Sequence, residues 1–223
     1  MQQKIVIFGV SNILSDLFDC ALANRLSIAK VVIHLPEQVG ERDISLVERL
    51  AALAVLGEQP EIQQLQDFTP QADELYLLGP TTPTRIALAT ELKNRFGLAF
   101  TRLVHPTAYV SPLASLGEGV FVGANSVIGP GVRLAEHVFV NRGVTIGHDT
   151  HIGAFSRVQP GSNLGGLSRI GHSVDIAIGA TVIERLVIGD KVFIGAGSVI
   201  SSDIEADTRV LGRSASFKKL APK

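Results

Sequence analysis

The chain has 223 residues, 46% of them hydrophobic and 18% charged, a composition that suits one or two folded domains. A formal net charge of −1 gives no electrostatic case for a nucleic-acid partner. The single cysteine, Cys20, excludes an internal disulfide, and no apolar run is long enough for a signal segment or a bilayer span, so a soluble cytoplasmic protein with no membrane partner is expected.

Residues 4–10 form an apolar run closed by Gly9 and predict a strand; apolar residues at helical spacing from Asn12 to Leu26 then predict a helix. Further strands are predicted at Lys30 to Ile33, at Leu53 to Leu56 before Gly57, and at Glu74 to Leu78 before Gly79. Between them, helices are predicted at Ile44 to Leu50, Ile62 to Leu65 and Thr84 to Phe96. The alternation argues for a small, Rossmann-like parallel α/β domain over residues 1–104, its last strand running from Phe100 to Val104.

From His105-Pro106 the pattern changes. An aliphatic residue recurs at every sixth position without a break from Val110, Leu116 and Val122 to Ile194 and Ile200. Two residues before each stands a small, β-branched or aliphatic residue, as at Ala108, Ser126, Val144 and Ser162. A six-residue period fits neither a 3.6-residue helix nor a chain of hairpins, but it fits a parallel β-helix of short strands and turns. Gly often follows the aliphatic residue, as at 117, 147 and 165, where it is expected to supply the positive backbone angles of a corner.

Three hexads per coil would stack residues eighteen apart and fill a narrow aliphatic core, in keeping with an aromatic content of only 5%. The aliphatic row alone does not offset the entropy of ordering so much backbone, so an oligomer is expected. The β-helix is assigned to residues 105–204. Past Ile200 the pattern weakens through Asp203, Glu205 and Asp207, and residues 205–223 are assigned to a cap and a tail that carries Lys218 and Lys219.

The most distinctive stretch is Val140-Asn141-Arg142-Gly143-Val144-Thr145-Ile146-Gly147-His148-Asp149-Thr150-His151-Ile152-Gly153. It is supported by residues 103–112 at the junction, 160–166 after the histidine and 194–200 near the rod's end. With a small α/β domain before the rod, these motifs resemble the PglD/NeuD family of bacterial sugar N- and O-acyltransferases over nearly the whole chain. The resemblance implies a left-handed β-helix, a homotrimer with acetyl-CoA between neighbouring rods, and transfer of acetyl to the amino group of a nucleotide-linked sugar.

By that resemblance His148 is the general base and Asp149 orients it or stabilises its charged form, a role that suits a group titrating near neutral pH. Spacing alone leaves His148 as one of several turn histidines, with His137 and His172. Adjacent residues in an extended segment point to opposite faces, so Asp149 can assist only if both sit at a corner. One coil on from His148 lies Gly166, which should leave space beside the imidazole for a reacting carbonyl. The family holds the oxyanion with the backbone N–H at the matching glycine, here Gly165-Gly166.

The resemblance also maps acetyl-CoA binding onto Arg157, Ile178 and Ala196, with Arg157 standing where the family often has His. The family's closing motif appears as Val210 to Ala215, with Ser214 in place of Pro. The family binds its nucleotide with a Gly-x-Ser-Gly-x-Gly turn and an acidic pair; here the turn reads Gly9-Val10-Ser11-Asn12-Ile13-Leu14 and the second strand ends at His34-Leu35-Pro36. The matching substrate residues are Gly9, Ser11, Asn12 and His34. The helix N-terminus after Ser11 can receive an anion, or Ser11 or Asn12 serves only as its cap.

The expected function is acetyl-CoA-dependent N-acetylation of an amino sugar, with no metal. Sugar O-acetylation and a non-catalytic CoA-binding trimer are the alternatives. A zinc hydratase of the γ-carbonic anhydrase kind needs three converging His. His137 and His172 are eleven and twenty-four residues from His148, neither a whole number of coils, and His151 is three away.

Overall fold

The computed structural model describes residues 3–80 and 84–212. The N-terminal part holds four parallel strands, β1 (Lys4–Phe8), β2 (Ser27–Ile33), β3 (Glu61–Gln64) and β4 (Glu74–Leu78), in the order β3-β2-β1-β4. Helices α1 (Leu14–Ala23), α2 (Leu46–Ala54) and α3 (Thr84–Phe96) connect or follow them. The central strand β1 is buried from Ile5 to Phe8, which is why its sequence is continuously apolar rather than alternating. Its neighbours continue the chain in opposite directions across the sheet, so a topological switch point lies beyond the C-terminal ends of β1 and β4.

Two local expectations are corrected. Leu53 to Leu56, expected as a strand, close α2 and its following turn; Ser45 caps that helix by accepting from Glu48 N–H while the Glu48 carboxylate accepts from Ser45 N–H. Leu46 and Leu53, two helical turns apart, pack into the core together. Ile62 to Leu65, expected as a helix, is mostly the edge strand β3; its half-exposed side chains carry no apolar alternation to betray a strand.

The rod begins earlier than expected. Of the strand expected at Phe100 to Val104, Phe100 bridges Tyr76 of β4 in parallel and adds to the α/β sheet, whereas Leu103–Val104 pairs with Phe121–Val122 and opens a rod ladder. Three parallel ladders follow. Face I runs through Leu103–Val104, Phe121–Val122, Phe139–Val140, Arg157–Val158, Asp175–Ile176, Phe193–Ile194 and Arg209–Val210. Face II runs through Tyr109–Val110, Val127–Ile128, Thr145–Ile146, Asn163–Leu164, Thr181–Val182 and Val199–Ile200. Face III runs through Ser115–Leu116, Arg133–Leu134, His151–Ile152, Arg169–Ile170 and Val187–Ile188. Every rung joins residues eighteen apart except the last of face I, and the aliphatic row forms one continuous core. The ladder thus passes residue 204 and reaches Val210; residues 213–223, with Arg213 to Ala215, Lys218 and Lys219, lie outside the described residues.

The glycines after the aliphatic row do not work as expected, because their φ angles are not positive. The left-handed position is two residues later in each hexad from Gly119 to Gly197, and it accepts non-glycine residues such as Asn125, Asp149, Leu167 and Lys191. What glycine supplies is room for close stacking: a Cβ on Gly147 would lie 2.5 Å from the Gly166 amide nitrogen of the next coil. Among the polar members of the small row, Ser126, Ser156 and Ser162 are satisfied by the same stacking, donating to main-chain carbonyls at 2.7 to 2.9 Å, whereas the buried Ser198 hydroxyl has no partner among the described residues.

The α/β domain docks on the first coils of face I. Phe121 and Phe139 stack 4.6 Å apart and join the α/β core. Arg142 pairs with Asp16 at 2.5 Å, and Lys93 bridges Glu118 and Glu136.

Candidate active site

His148 and Asp149 occupy the corner between Thr145–Ile146 of face II and His151–Ile152 of face III. Asp149 takes φ 55°, which breaks the extended alternation and brings the two neighbouring side chains together. His148 Nδ1 lies 2.9 Å from Asp149 Oδ2. With Nδ1–H donating to that carboxylate, Nε2 is left with a lone pair that can accept a proton. Both side chains are more than half exposed, open to an incoming molecule.

Gly166 stands one coil on. A Cβ there would lie 2.9 Å from His148 Nε2. Leu167 N–H donates to the His148 carbonyl at 2.8 Å and fixes the stacking, while the Gly166 N–H makes no hydrogen bond among the described residues. An unfilled space and an unused main-chain donor thus adjoin the imidazole, an arrangement suited to a developing oxyanion.

The expected cofactor residues do not join this corner within one chain. Arg157 lies on face I, where its Nη2 donates to Asp175 Oδ2 at 2.5 Å across the ladder. Ile178 and Ala196 stack at the corner between faces I and II, with Gly197 N–H donating to the Ile178 carbonyl at 3.0 Å. Asp175 escaped the sequence reading, although it stands eighteen residues after Arg157 and the coil period alone pairs them.

The substrate residues expected in the α/β domain do come together, beyond the strand ends at the switch point. A cavity of about 480 Å³ is lined by Ser11, Asn12, His34, Glu37, Asp43 and Thr84, among others. Gly9 sits behind it with φ 86°, and a Cβ there would meet Pro80 at 2.6 Å and His34 at 3.0 Å. Ser11 donates to the Gly79 carbonyl and Asn12 to Asp43, both at 2.8 Å, so neither side chain caps α1. Leu14 points into the core and is fully buried, which leaves the cavity open despite its bulk. Burial holds the His34 imidazole below its ordinary pKa, and neither ring nitrogen has a partner among the described residues.

The other histidines lie apart. His137 is fully buried between Phe100 and Phe155, with ring centroids 4.8 and 4.9 Å away, and burial pushes it down to about 4. His172 pairs with Asp190 at a different corner, and His151 belongs to face III. Among the described residues no cluster of three or more His, Cys, Asp or Glu is placed to hold a metal. Nor is any described helix long and apolar enough to cross a membrane.

Comparison with known proteins agrees with this layout. Residues 113–148 match the bacterial transferase hexapeptide (six repeats) model, and residues 185–210 match the hexapeptide repeat of succinyl-transferase. A search of curated proteins gave no significant match. Among solved structures, the acetyltransferase domain of PglB from Neisseria gonorrhoeae superimposes with a TM-score of 0.78 at 26% identity, covering 95% of this chain and 97% of that one. The same domain is also known in complex with acetyl coenzyme A. PerB from Caulobacter crescentus, solved with CoA and GDP-perosamine, superimposes at 0.76 with 24% identity, covering 97% of each chain. The fold is therefore a Rossmann-like domain followed by a left-handed parallel β-helix, and over nearly its whole length the chain is similar to sugar acetyltransferases of the PglD/NeuD kind.

Proposed function

We propose that this protein transfers an acetyl group from acetyl-CoA to the amino group of a nucleotide-linked sugar, acting as a cytoplasmic homotrimer. The observation that carries this reading is the imidazole of His148, bound through Nδ1 to Asp149 and presenting Nε2 to the empty space beside Gly166. The similar PglB domain binds acetyl coenzyme A, and PerB binds CoA together with an amino sugar carried on a nucleotide.

The chemistry follows from this corner. The acceptor nitrogen attacks the thioester carbonyl carbon, and the carbonyl oxygen becomes an oxyanion facing the Gly166 N–H. His148 Nε2 takes the proton released by the nitrogen, and Asp149 stabilises the resulting imidazolium. Collapse of the tetrahedral intermediate expels the CoA thiolate, which is protonated by His148. The imidazole then returns to its starting state.

Trimer formation is supported by the outward row of face II, where Tyr109, Val127 and Val199 are 58%, 42% and 71% exposed. It also has a chemical motive. Arg157, Ile178 and Ala196 lie on a different face and corner from His148, so one acetyl-CoA meets both sets only where two copies adjoin. The lone cysteine fits a reducing compartment.

The test is a thiol-release screen with acetyl-CoA and a panel of nucleotide-linked and free amino sugars. Release with a nucleotide-linked amino sugar, lost in His148→Ala, is expected. Full activity in that variant would remove His148 as the base, and silence across the panel would leave only a CoA-binding rod.

A further inference from the structure

A second cleft, of about 230 Å³, lies between the first turn of α3 and the outer side of face I, lined by Arg85, Phe155, Arg157, Asp175, Lys191 and Phe193, among others. Arg85 is 3% exposed; its Nη2 donates to the His137 carbonyl at 2.5 Å, and its guanidinium carbon lies 5.7 Å from the centre of the Phe155 ring. Its Nε and Nη1 have no hydrogen-bond partner among the described residues. Buried donors left unused are costly, and the positive charge of Arg157 adds repulsion. Burial and that repulsion push Arg85 down to about 10, a value at which it still keeps its charge at neutral pH.

The cleft is cationic. Arg85, Arg157 and Lys191 face the single carboxylate of Asp175, whose Oδ2 is engaged by Arg157. Lys191 is held at a left-handed corner and has no ion pair among the described residues. The two cavities draw consecutive residues of α3: Thr84 lines the α/β cavity and Arg85 lines this cleft. Both residues stand at the start of a thirteen-residue helix, whose N-terminus favours negative charge.

We propose that this cleft is a phosphate subsite, filled by the diphosphate of the nucleotide-linked acceptor or by that of CoA. The naming of these two sources rests on the acetyltransferase reading, whereas the anion chemistry rests on the residues alone. The unused Arg85 donors and the Lys191 ammonium bind phosphate oxygens, and Asp175 Oδ1, also without a partner among the described residues, accepts from a neighbouring sugar hydroxyl.

Calorimetric titration with inorganic pyrophosphate tests the subsite without requiring catalysis. The wild-type protein is expected to bind it saturably, with about tenfold weaker binding in Lys191→Asn and Arg85→Met, on the order of one lost charge-assisted hydrogen bond. Lys191→Asn suits the left-handed corner and is exposed, so it carries the test should the buried Arg85→Met variant fail to fold. In turnover, a raised KM for the nucleotide-linked sugar alone assigns the acceptor's diphosphate, and a raised KM for acetyl-CoA alone assigns that of CoA. Pyrophosphate binding that Lys191→Asn weakens, in a protein that acetylates no amino sugar, keeps the subsite and removes the acetyltransferase reading. Absence of pyrophosphate binding in the wild type, or unchanged binding in Lys191→Asn, overturns the subsite.

Discussion

His148 Nδ1 and Asp149 Oδ2 meet at 2.9 Å because the backbone turns left-handed at residue 149; in an extended strand these side chains would face opposite ways. The pair is therefore a product of the corner, and the two residues are expected to fail differently. His148→Ala should lower kcat by about 10²- to 10⁴-fold, the usual range for loss of a general base, with the KM for acetyl-CoA little changed. Asp149→Asn keeps the left-handed corner, since Asn tolerates it well, but loses the negative charge. A smaller loss of kcat is expected, measured by thiol release. An Asp149→Asn variant with wild-type kcat would show that the carboxylate has no part in the chemistry.

Gly166 and Gly147 touch across one coil but should respond to alanine in opposite ways. On Gly166 the added methyl meets His148 Nε2 at 2.9 Å, on a half-exposed side chain that can swing aside, and the His148 carbonyl oxygen at 3.0 Å, where the main chain must give by a few tenths of an ångström. Gly166→Ala should therefore lose less stability than Gly147→Ala yet lose about tenfold or more in kcat, through displaced imidazole and filled carbonyl space. On Gly147 the methyl meets the Gly166 amide nitrogen at 2.5 Å, which is main chain and cannot yield locally. That variant should lose about 1–3 kcal/mol of stability, measured by thermal or denaturant unfolding.

His137 makes the domain junction sensitive to acid. Burial pushes its imidazole down to about 4 from an ordinary 6.5, with the charges of Arg85 and Lys93 acting in the same direction. The unfolded chain therefore binds a proton between these values while the folded chain does not, so stability rises with pH across this window and is lost as pH falls from 6.5 toward 4. The full shift corresponds to ~3 kcal/mol. Melting temperature should drop over that interval in the wild type, and His137→Asn, which accepts the left-handed φ of 56°, should flatten the drop. An equally steep drop in the variant would place the acid sensitivity in other groups.

The rod was legible because its period is a packing constraint. Each aliphatic residue must enter the same narrow core, so Val110 to Ile200 announce themselves, and the eighteen-residue coil places Gly166 beside His148 before any coordinates are known. The same ruler pairs Arg157 with Asp175. The α/β domain was harder to read where burial is partial: β3 sits at a sheet edge, and the last turns of α2 show a short apolar run that suits a strand as well as a helix. The reason for the glycine row was misread for a related cause. Sequence shows that a side chain is absent, but whether a backbone angle or a neighbouring coil forbids it depends on the stacking, as at Gly147. Arg85 was invisible as a site residue because its role depends on α3 docking against Phe155 and His137, contacts between segments more than fifty residues apart.

The division of site residues between faces leads to a test of assembly. In one chain His148 stands at the corner of faces II and III, whereas Arg157 lies on face I beside Asp175. If each catalytic centre takes its base from one copy and its CoA contacts from the next, His148→Ala and Arg157→Ala are each inactive alone but complement one another. In a trimer mixed at random from equal amounts, a centre with both wild-type residues arises with a probability of one half from each copy, so ~25% of wild-type activity is expected. The measurement is thiol release after unfolding the two variants together and refolding them as a mixture, with each variant refolded alone as control. Mixed protein no more active than the controls would place His148 and Arg157 in one copy's centre and overturn the centre shared between copies.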